Sequence, residues 1–239
     1  MPHTILSISQ AAHHICIPEK QLRHLALQNE IPCIKRGEQY FFEHRKLDDW
    51  AQQRIMKLEP HHLREHHINV ATERKKNIND DHLIESRLTI DRIHPEMTAK
   101  TKPGLIRDMV KAAAATGLLN DEEYLHKELI AREEIGSTAI GDGAALLHNR
   151  YFNEYTFEES FIILGRTIQP LFFGCQNGGT TDIFFLICCK DDDLHLHILA
   201  RICILIHGTG LMQLLREAET AEEMYQMLHA AEEELLKAL

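Results

Sequence analysis

Between Ile55 and His94 the chain carries no sustained apolar periodicity, and this polar interval divides it into two separately patterned segments. Its 239 residues suffice for one large domain or two small ones, and the interruption favours two. Charge follows the same division. Residues 1–80 hold 12 Lys and Arg against 10 Asp and Glu, and residues 81–239 hold 14 against 26, within a net charge of −10. A slightly basic head on an acidic body implies modules with different partners and excludes a chain that coats nucleic acid along its whole length. The expected organisation is a domain at 1–56, a polar linker at 57–84 and a second domain at 85–239.

No stretch reaches the roughly 20 apolar residues that a membrane span needs. The most apolar runs, Ile183 to Cys189 and Ile198 to Ile206, are far shorter. The N-terminus lacks the basic-then-apolar pattern of a signal peptide. The expected location is the cytoplasm, with no membrane insertion. Cys16, Cys33, Cys175, Cys188, Cys189 and Cys203 include no CxxC pair and read as reduced, mostly buried thiols.

In the head, Ser9 is the expected N-cap of a short helix carrying Ala11, Ala12 and Ile15. Pro18 suits the first turn of a second helix running to about Gln28, with Leu22, Leu25 and Ala26 inward. Two short helices joined by a tight turn read as a helix-turn-helix. Ile31, Cys33 and Ile34, a turn at Lys35-Arg36-Gly37, and Tyr40 to Phe42 read as a β-hairpin. A third helix opens around Leu47-Asp48-Asp49-Trp50, with Trp50 as core anchor. The Ser-x-x-x-Ala-Ala start, Pro18, the Glu-Ile-Pro before the first strand, the Lys-Arg-Gly tip and the Leu-x-x-Trp ending resemble the excisionase and MerR-like winged-helix family. That resemblance implies DNA contact by the second helix and the wing. Arg23 and Gln28 are suited to base edges, with His24 beside them, while Lys20, Lys35, Arg36 and Arg45 suit phosphates. A protein-binding or purely structural winged helix is the alternative. So few cations on a monomer imply a homodimer or tandem copies on DNA.

The interval itself holds His61, His62, His66 and His67. His62 and His66 would share a helix face, but no third ligand is evident where zinc takes three or four. The segment reads as a solvated linker helix or a dimerisation segment. No metal site and no cofactor are assigned.

In the body, Leu105, Ile106, Met109, Val110 and Ala113 form a helical stripe within Lys102 to Gly117. Asn120 is expected to cap a second helix through Ile130. Apolar runs at Phe161–Leu164, Leu171–Phe173 and Ile183–Cys189 read as strands. Helices follow from Leu194 to Ile206 and from Thr220 to Leu236. The fold class is therefore a two-domain α/β (α+β) protein, whose C-terminal domain is a layered α/β unit.

The run from Arg132 to Arg150, REEIGSTAIGDGAALLHNR, sets three glycines and small residues around one histidine. Glycines admit close backbone approach, and exposed N–H groups hold anions. An arginine pairs with phosphate, and an imidazole is a competent phosphoryl nucleophile. Taken alone, such a run is most often only a loop with a histidine. As it stands, however, the run resembles the signature R-E-x-x-G-S-T-x-I-G-x-G-I-A-I-P-H of phosphotransferase-system enzyme IIA domains of the fructose, mannitol and nitrogen-regulatory class. Arg132, Glu133, Gly136, Ser137, Thr138, Ile140, Gly141, Gly143, Ala145, His148 and Arg150 stand where that family has them. The later run LHLHILARICILI is similar to the family's second-histidine helix and places that histidine at His195.

The resemblance implies a mixed central sheet flanked by helices. It implies that His148 accepts a phosphoryl group from the phosphocarrier protein HPr or a paralogue. His195 would hold the phosphate and Arg132 would offset its charge, with Ser137, Thr138, Gly141, Gly143 and Arg150 forming the surrounding loop. One position departs: Leu147 stands where the family has proline. Three functions follow as readings: a transcription regulator switched by phosphorylation, a IIA subunit relaying phosphate to a sugar permease, and a degenerate module that binds partners without phosphorylation.

Overall fold

A computed structural model describes residues 4–57, 82–149, 155–175 and 178–237. The chain forms two compact units, Met1–Asn79 and Asp80–Leu239. The four clustered histidines of the interval and Arg150 lie outside the described residues.

The first unit runs β1 (Ile5–Ser7), α1 (Ile8–His14), α2 (Glu19–Leu27), β2 (Ile34–Arg36), β3 (Gln39–Glu43) and α3 (His44–Ile55). Ser7, and not Ser9, caps α1. Its side chain accepts from the Gln10 amide while Gln10 reaches back to the Ser7 amide, a reciprocal capping box that Ser9 has no partner to form. The hairpin turn is tighter than expected. Arg36 pairs with Gln39 across a two-residue loop in which Gly37 takes φ +62°. Lys35 and Arg36 therefore lie in β2 itself, and β1 completes the sheet on the other side of β3. Phe42 and Leu47, both wholly buried, fill the centre with Leu22, Leu25, Ala11 and Ile55. Trp50 is not the core anchor. It is half-buried at the margin, where its indole N–H donates to the Glu30 carbonyl at 2.7 Å.

Asp48, on the inner side of α3, sits between His14 (Nε2 to Oδ1, 2.6 Å) and His44 (Nδ1 to Oδ2, 3.0 Å). Burial works against the carboxylate's charge, but the hydrogen bonds from His14 and His44 outweigh it and hold Asp48 below the usual aspartate range. A depressed carboxylate adds stability above its unfolded pKa, and that stability is lost as pH falls through the folded value. Asp48→Ala removes both bonds and is expected to cost this unit about 2–4 kcal/mol. Trp50 is the chain's only tryptophan, so a urea titration followed by its fluorescence reads this loss directly.

The second unit runs from a 3-10 turn at Glu85–Arg87 through β4 (Ile93–Met97), α4 (Lys102–Ala115), α5 (Glu122–Ile135), β5 (Ala144–His148), β6 (Phe161–Leu171), β7 (Thr181–Cys188), α6 (Asp192–Gly208) and α7 (Leu211–Glu217) to α8 (Ala221–Lys237). The sheet is mixed, in the order β4-β6-β7-β5. The central β6–β7 pair is antiparallel, and each outer strand is parallel to its neighbour. The strand expected at Phe161–Leu164 continues to Leu171, and Phe172 and Phe173 of the second expected strand lie beyond its end.

Asp121 caps α5 through the Tyr124 amide, one residue beyond Asn120, and the helix continues past Ile130 to Ile135. Arg132 and Glu133 therefore belong to its last turn, which gives them a rigid base. One sheet face, with Ala145, Leu147, Ile163, Phe184 and Leu186, packs against Leu105, Met109 and Val110 of α4 and Leu125 and Leu129 of α5. Ile162, Phe185 and Ile187 alternate to the opposite face and are equally buried. Both faces are covered, so β7 reads as a continuous apolar run without alternation. Among the described residues, no single helix is long and apolar enough to cross a membrane.

Candidate active site

His148 ends β5, and strand alternation turns it to the face opposite Leu147. It is wholly buried. Its two ring nitrogens have different partners. Nδ1 lies 2.7 Å from the Leu146 carbonyl, and Nε2 accepts from the Arg132 guanidinium Nε at 3.0 Å. A carbonyl can only accept and a guanidinium can only donate. These partners assign the proton to Nδ1 and the lone pair to Nε2. Nε2 is thus the nitrogen that bears the lone pair. The side chain of Arg132 is steered by a second bond from Nη1 to the Gly136 carbonyl, 3.1 Å.

His195 stands in the first turn of α6, behind the Asp191 N-cap, and is also wholly buried. Its ring centroid is 5.0 Å from that of His148. Burial first, then the charges of Arg132 and His195, hold the His148 imidazole well below its ordinary range. The ring is therefore neutral at physiological pH, the form a nucleophile requires.

The sign for stability follows. The folded value lies below the unfolded one, so the unfolded state binds the extra proton first. This unit should lose up to about tenfold in its folding constant per pH unit below the unfolded histidine pKa of about 6.5. His148→Asn should flatten that dependence, as seen by thermal unfolding across pH 4.5–7.

The other expected site residues divide into two groups. Thr138 lies beside β5, its carbonyl accepting from the Leu146 amide. Its own amide and hydroxyl are committed to Glu133, at 3.1 and 2.6 Å, and Glu133 pairs with Lys102 at 2.6 Å. Ser137 donates to the Phe173 carbonyl. These hydroxyls hold the loop in place. Gly141 and Gly143 precede β5, whose length, about 3.3 Å per residue, separates them from His148 at its far end. Gly143 takes φ +80°, and a Cβ there would collide with the Arg216 and Asp182 side chains. The structure does not bring these two glycines to His148: Gly143 lets the turn pass beneath the Arg216–Asp182 pair, and Gly141 faces the His207 ring. Gly143→Ala should accordingly lower the melting temperature of this unit by several degrees.

The Glu133–Lys102 clamp was not assigned a role from sequence. Glu133 stood in the matched motif, but Lys102 lies 31 positions before it and carried no signal beyond a helix start. Leu147 pairs with Leu186 and fills the core between sheet and helices.

Lys20, Arg23, His24 and Gln28 are exposed on or just after α2, Lys35 and Arg36 on β2, and Arg45 at the start of α3.

The family described as "Phosphoenolpyruvate-dependent sugar phosphotransferase system, EIIA 2" matches residues 86–231. A nitrogen regulatory protein of Bradyrhizobium diazoefficiens is 29% identical over 139 residues, 57% of this chain and 88% of that protein. Among solved structures, nitrogen regulatory protein IIA-Ntr of Neisseria meningitidis superposes with TM-score 0.54 at 21% identity, over 60% of this chain and 97% of its own. Enzyme IIA for mannitol of Escherichia coli, solved in complex with phosphorylated IIB, superposes with TM-score 0.52 at 14% identity, over 60% and 98%. At these identities the two structures establish the fold and no more.

Proposed function

The chain belongs to the EIIA 2 family of the phosphoenolpyruvate-dependent sugar phosphotransferase system, and on that premise we propose a DNA-binding regulator whose state is set by phosphorylation of His148. The observation that carries this reading is the Arg132–His148–His195 arrangement. A neutral imidazole offers Nε2 as nucleophile, with a guanidinium already beside it to offset incoming charge. In the reaction, Nε2 attacks the phosphohistidine phosphorus of HPr or a paralogue. The N–P bond forms here as the donor's breaks, and the donor imidazole leaves. The Leu146 carbonyl keeps the Nδ1 proton in place, and Arg132 and His195 take the charge. A phosphoryl group brings negative charge to a neutral site, which is sufficient to redraw contacts.

The first unit supplies the proposed output, a winged helix-turn-helix at 1–56; a linker follows, and the IIA-type unit, placed at 85–239 from sequence, also takes in the buried Leu83 and Ile84, the latter held by Glu232. Its α2 and β2–β3 hairpin expose Lys20, Arg23, His24, Gln28, Lys35 and Arg36, with Arg45 nearby. A IIA subunit serving only as a relay has no use for such a head. Affinity for duplex DNA should fall with salt at a slope of about −0.9 per phosphate neutralised, and Lys35→Gln with Arg36→Gln should reduce that slope by about two. Fluorescence anisotropy over a range of salt concentrations measures it. A homodimer on DNA fits the small number of cations.

A second reading has a specific observation behind it. His148 is wholly buried and Arg132 already occupies Nε2, an arrangement that also suits a module that senses partners without taking phosphate. Incubation with phosphoenolpyruvate, enzyme I and HPr or its nitrogen-branch paralogue decides between them. Acid-labile phosphate in the wild type and none in His148→Ala supports the regulator. No phosphate with any donor transfers the case to the sensor, and Leu147→Pro then tests whether that position is responsible.

A further inference from the structure

Three donors remote in sequence converge at the start of the second unit. His82 precedes the first 3-10 turn, Glu85 opens it, and His229 lies in the middle of α8. The Nδ1 atoms of His82 and His229 are each 2.9 Å from the same carboxylate oxygen, Glu85 Oε2. All three ligand atoms lie within 4.8 Å of one another. The two Nδ1 atoms are buried, yet neither has hydrogen-bonding geometry toward the carboxylate or any other group. A pair of imidazoles arranged to solvate a carboxylate would point N–H groups along its lone pairs. These nitrogens crowd the oxygen without doing so. Donors at about 2.0–2.1 Å from a tetrahedral zinc stand about 3.3 Å from one another, close to the spacing seen here.

The surroundings are built to hold the donors still. Tyr225 stacks its ring on His229, 9° from parallel, and its hydroxyl bonds to the Glu85 carboxylate. The wholly buried Glu232, three residues beyond His229, accepts the backbone amides of both Ile84 and Glu85 and pairs with Arg201. The segment bearing two donors is thus fixed to the helix bearing the third before any cation arrives. Glu233, one turn beyond His229, is turned to Lys237 at 3.0 Å.

We propose that His82, Glu85 and His229 form a binding site for a divalent transition cation of the zinc type, which ties the first turn of this unit to its last helix. Two imidazoles and one carboxylate suit zinc, and a set with no thiolate and a single carboxylate favours zinc over calcium or magnesium.

Full-length protein, stripped with chelator, would be titrated with zinc against a chromophoric competitor. Because His61, His62, His66 and His67 can bind zinc on their own, and His14, His44 and Asp48 form a second group of two imidazoles and a carboxylate, the titration is done in a four-Gln chain, with the first four histidines changed, that also carries His44→Ala. One zinc per chain is expected. His229→Gln should weaken binding by more than 100-fold, and Tyr225→Phe by about 10- to 100-fold. Thermal unfolding of the chelated His229→Gln chain, compared with the chelated parent, separates a lost ligand from a lost fold. The same four-Gln chain loaded with zinc and read by X-ray absorption needs no further variant: two imidazole nitrogens and a carboxylate oxygen at about 2.0–2.2 Å are expected. No tight zinc in the four-Gln chain, equal affinity in a folded His229→Gln, or a coordination shell without two imidazoles would each overturn the proposal.

Discussion

Arg132→Met is expected to slow phosphorylation of His148 by about 100- to 1000-fold. The expectation rests on the position of the guanidinium, with its Nε–H at the nucleophilic nitrogen and its Nη1 locked to the Gly136 carbonyl. A donor preorganised where charge develops has a weight of this order. Methionine keeps the length of the stem and removes the charge, so the core should not collapse. A second readout is independent of rate. Arg132 helps hold the His148 imidazole low, so its titration in the variant, followed by NMR, should move upward. If the variant instead accepts phosphate as fast as the parent or faster, Arg132 blocks Nε2 and does not serve it, and the sensor reading gains.

Glu232→Ala should destabilise the second unit by about 3–5 kcal/mol. Glu232 is wholly buried and carries three partners: the Arg201 guanidinium at 2.9 Å and the amides of Ile84 and Glu85. Removing it leaves a buried arginine without its counter-charge, which is worse than having neither. The double variant Arg201→Met, Glu232→Met should therefore recover part of the loss that the single change causes. Urea unfolding followed by far-ultraviolet circular dichroism, with Trp50 fluorescence marking the first unit separately, distinguishes the two. A loss under 1 kcal/mol would mean that water replaces Glu232 at little cost.

Sequence patterning located helices well wherever an apolar stripe faced a sheet, as in α4 and α8, and located β7 from its unbroken apolar run. It misread three kinds of feature, each for a physical reason. β5 was taken as part of a glycine-rich loop because Ala144, Ala145, Leu146 and Leu147 are buried on both sides and show no alternation. β4 contains His94, Pro95 and Glu96, which suit only an outer strand and conceal it. The cap of α1 was misplaced because two serines compete and only one has glutamine three residues on.

The site was legible where the motif is contiguous, at Arg132 and His148, and where a second helix carried its own pattern, at His195. It was not legible where loop residues face inward. Ser137, Thr138, Gly141 and Gly143 were expected around a phosphate; the hydroxyls of Ser137 and Thr138 instead bond to Phe173 and Glu133, and Gly141 and Gly143 lie against His207 and Arg216. The residues converging on Glu85 were invisible because their spacing is set by the fold.

The bonds from Glu232 to Ile84 span 148 positions. A chain made from its N-terminus at about 5–20 residues per second exposes Ile84 some 7–30 seconds before Glu232 is even translated. The first unit, whose described elements run only from Ile5 to Ile55, can close during that interval. The second must wait with its opening turn unanchored and β4 lacking part of its cover. On the ribosome, then, the head is complete while the second unit is still being assembled. A nascent chain stalled between these points should present a finished first unit attached to a second that proteases still cut.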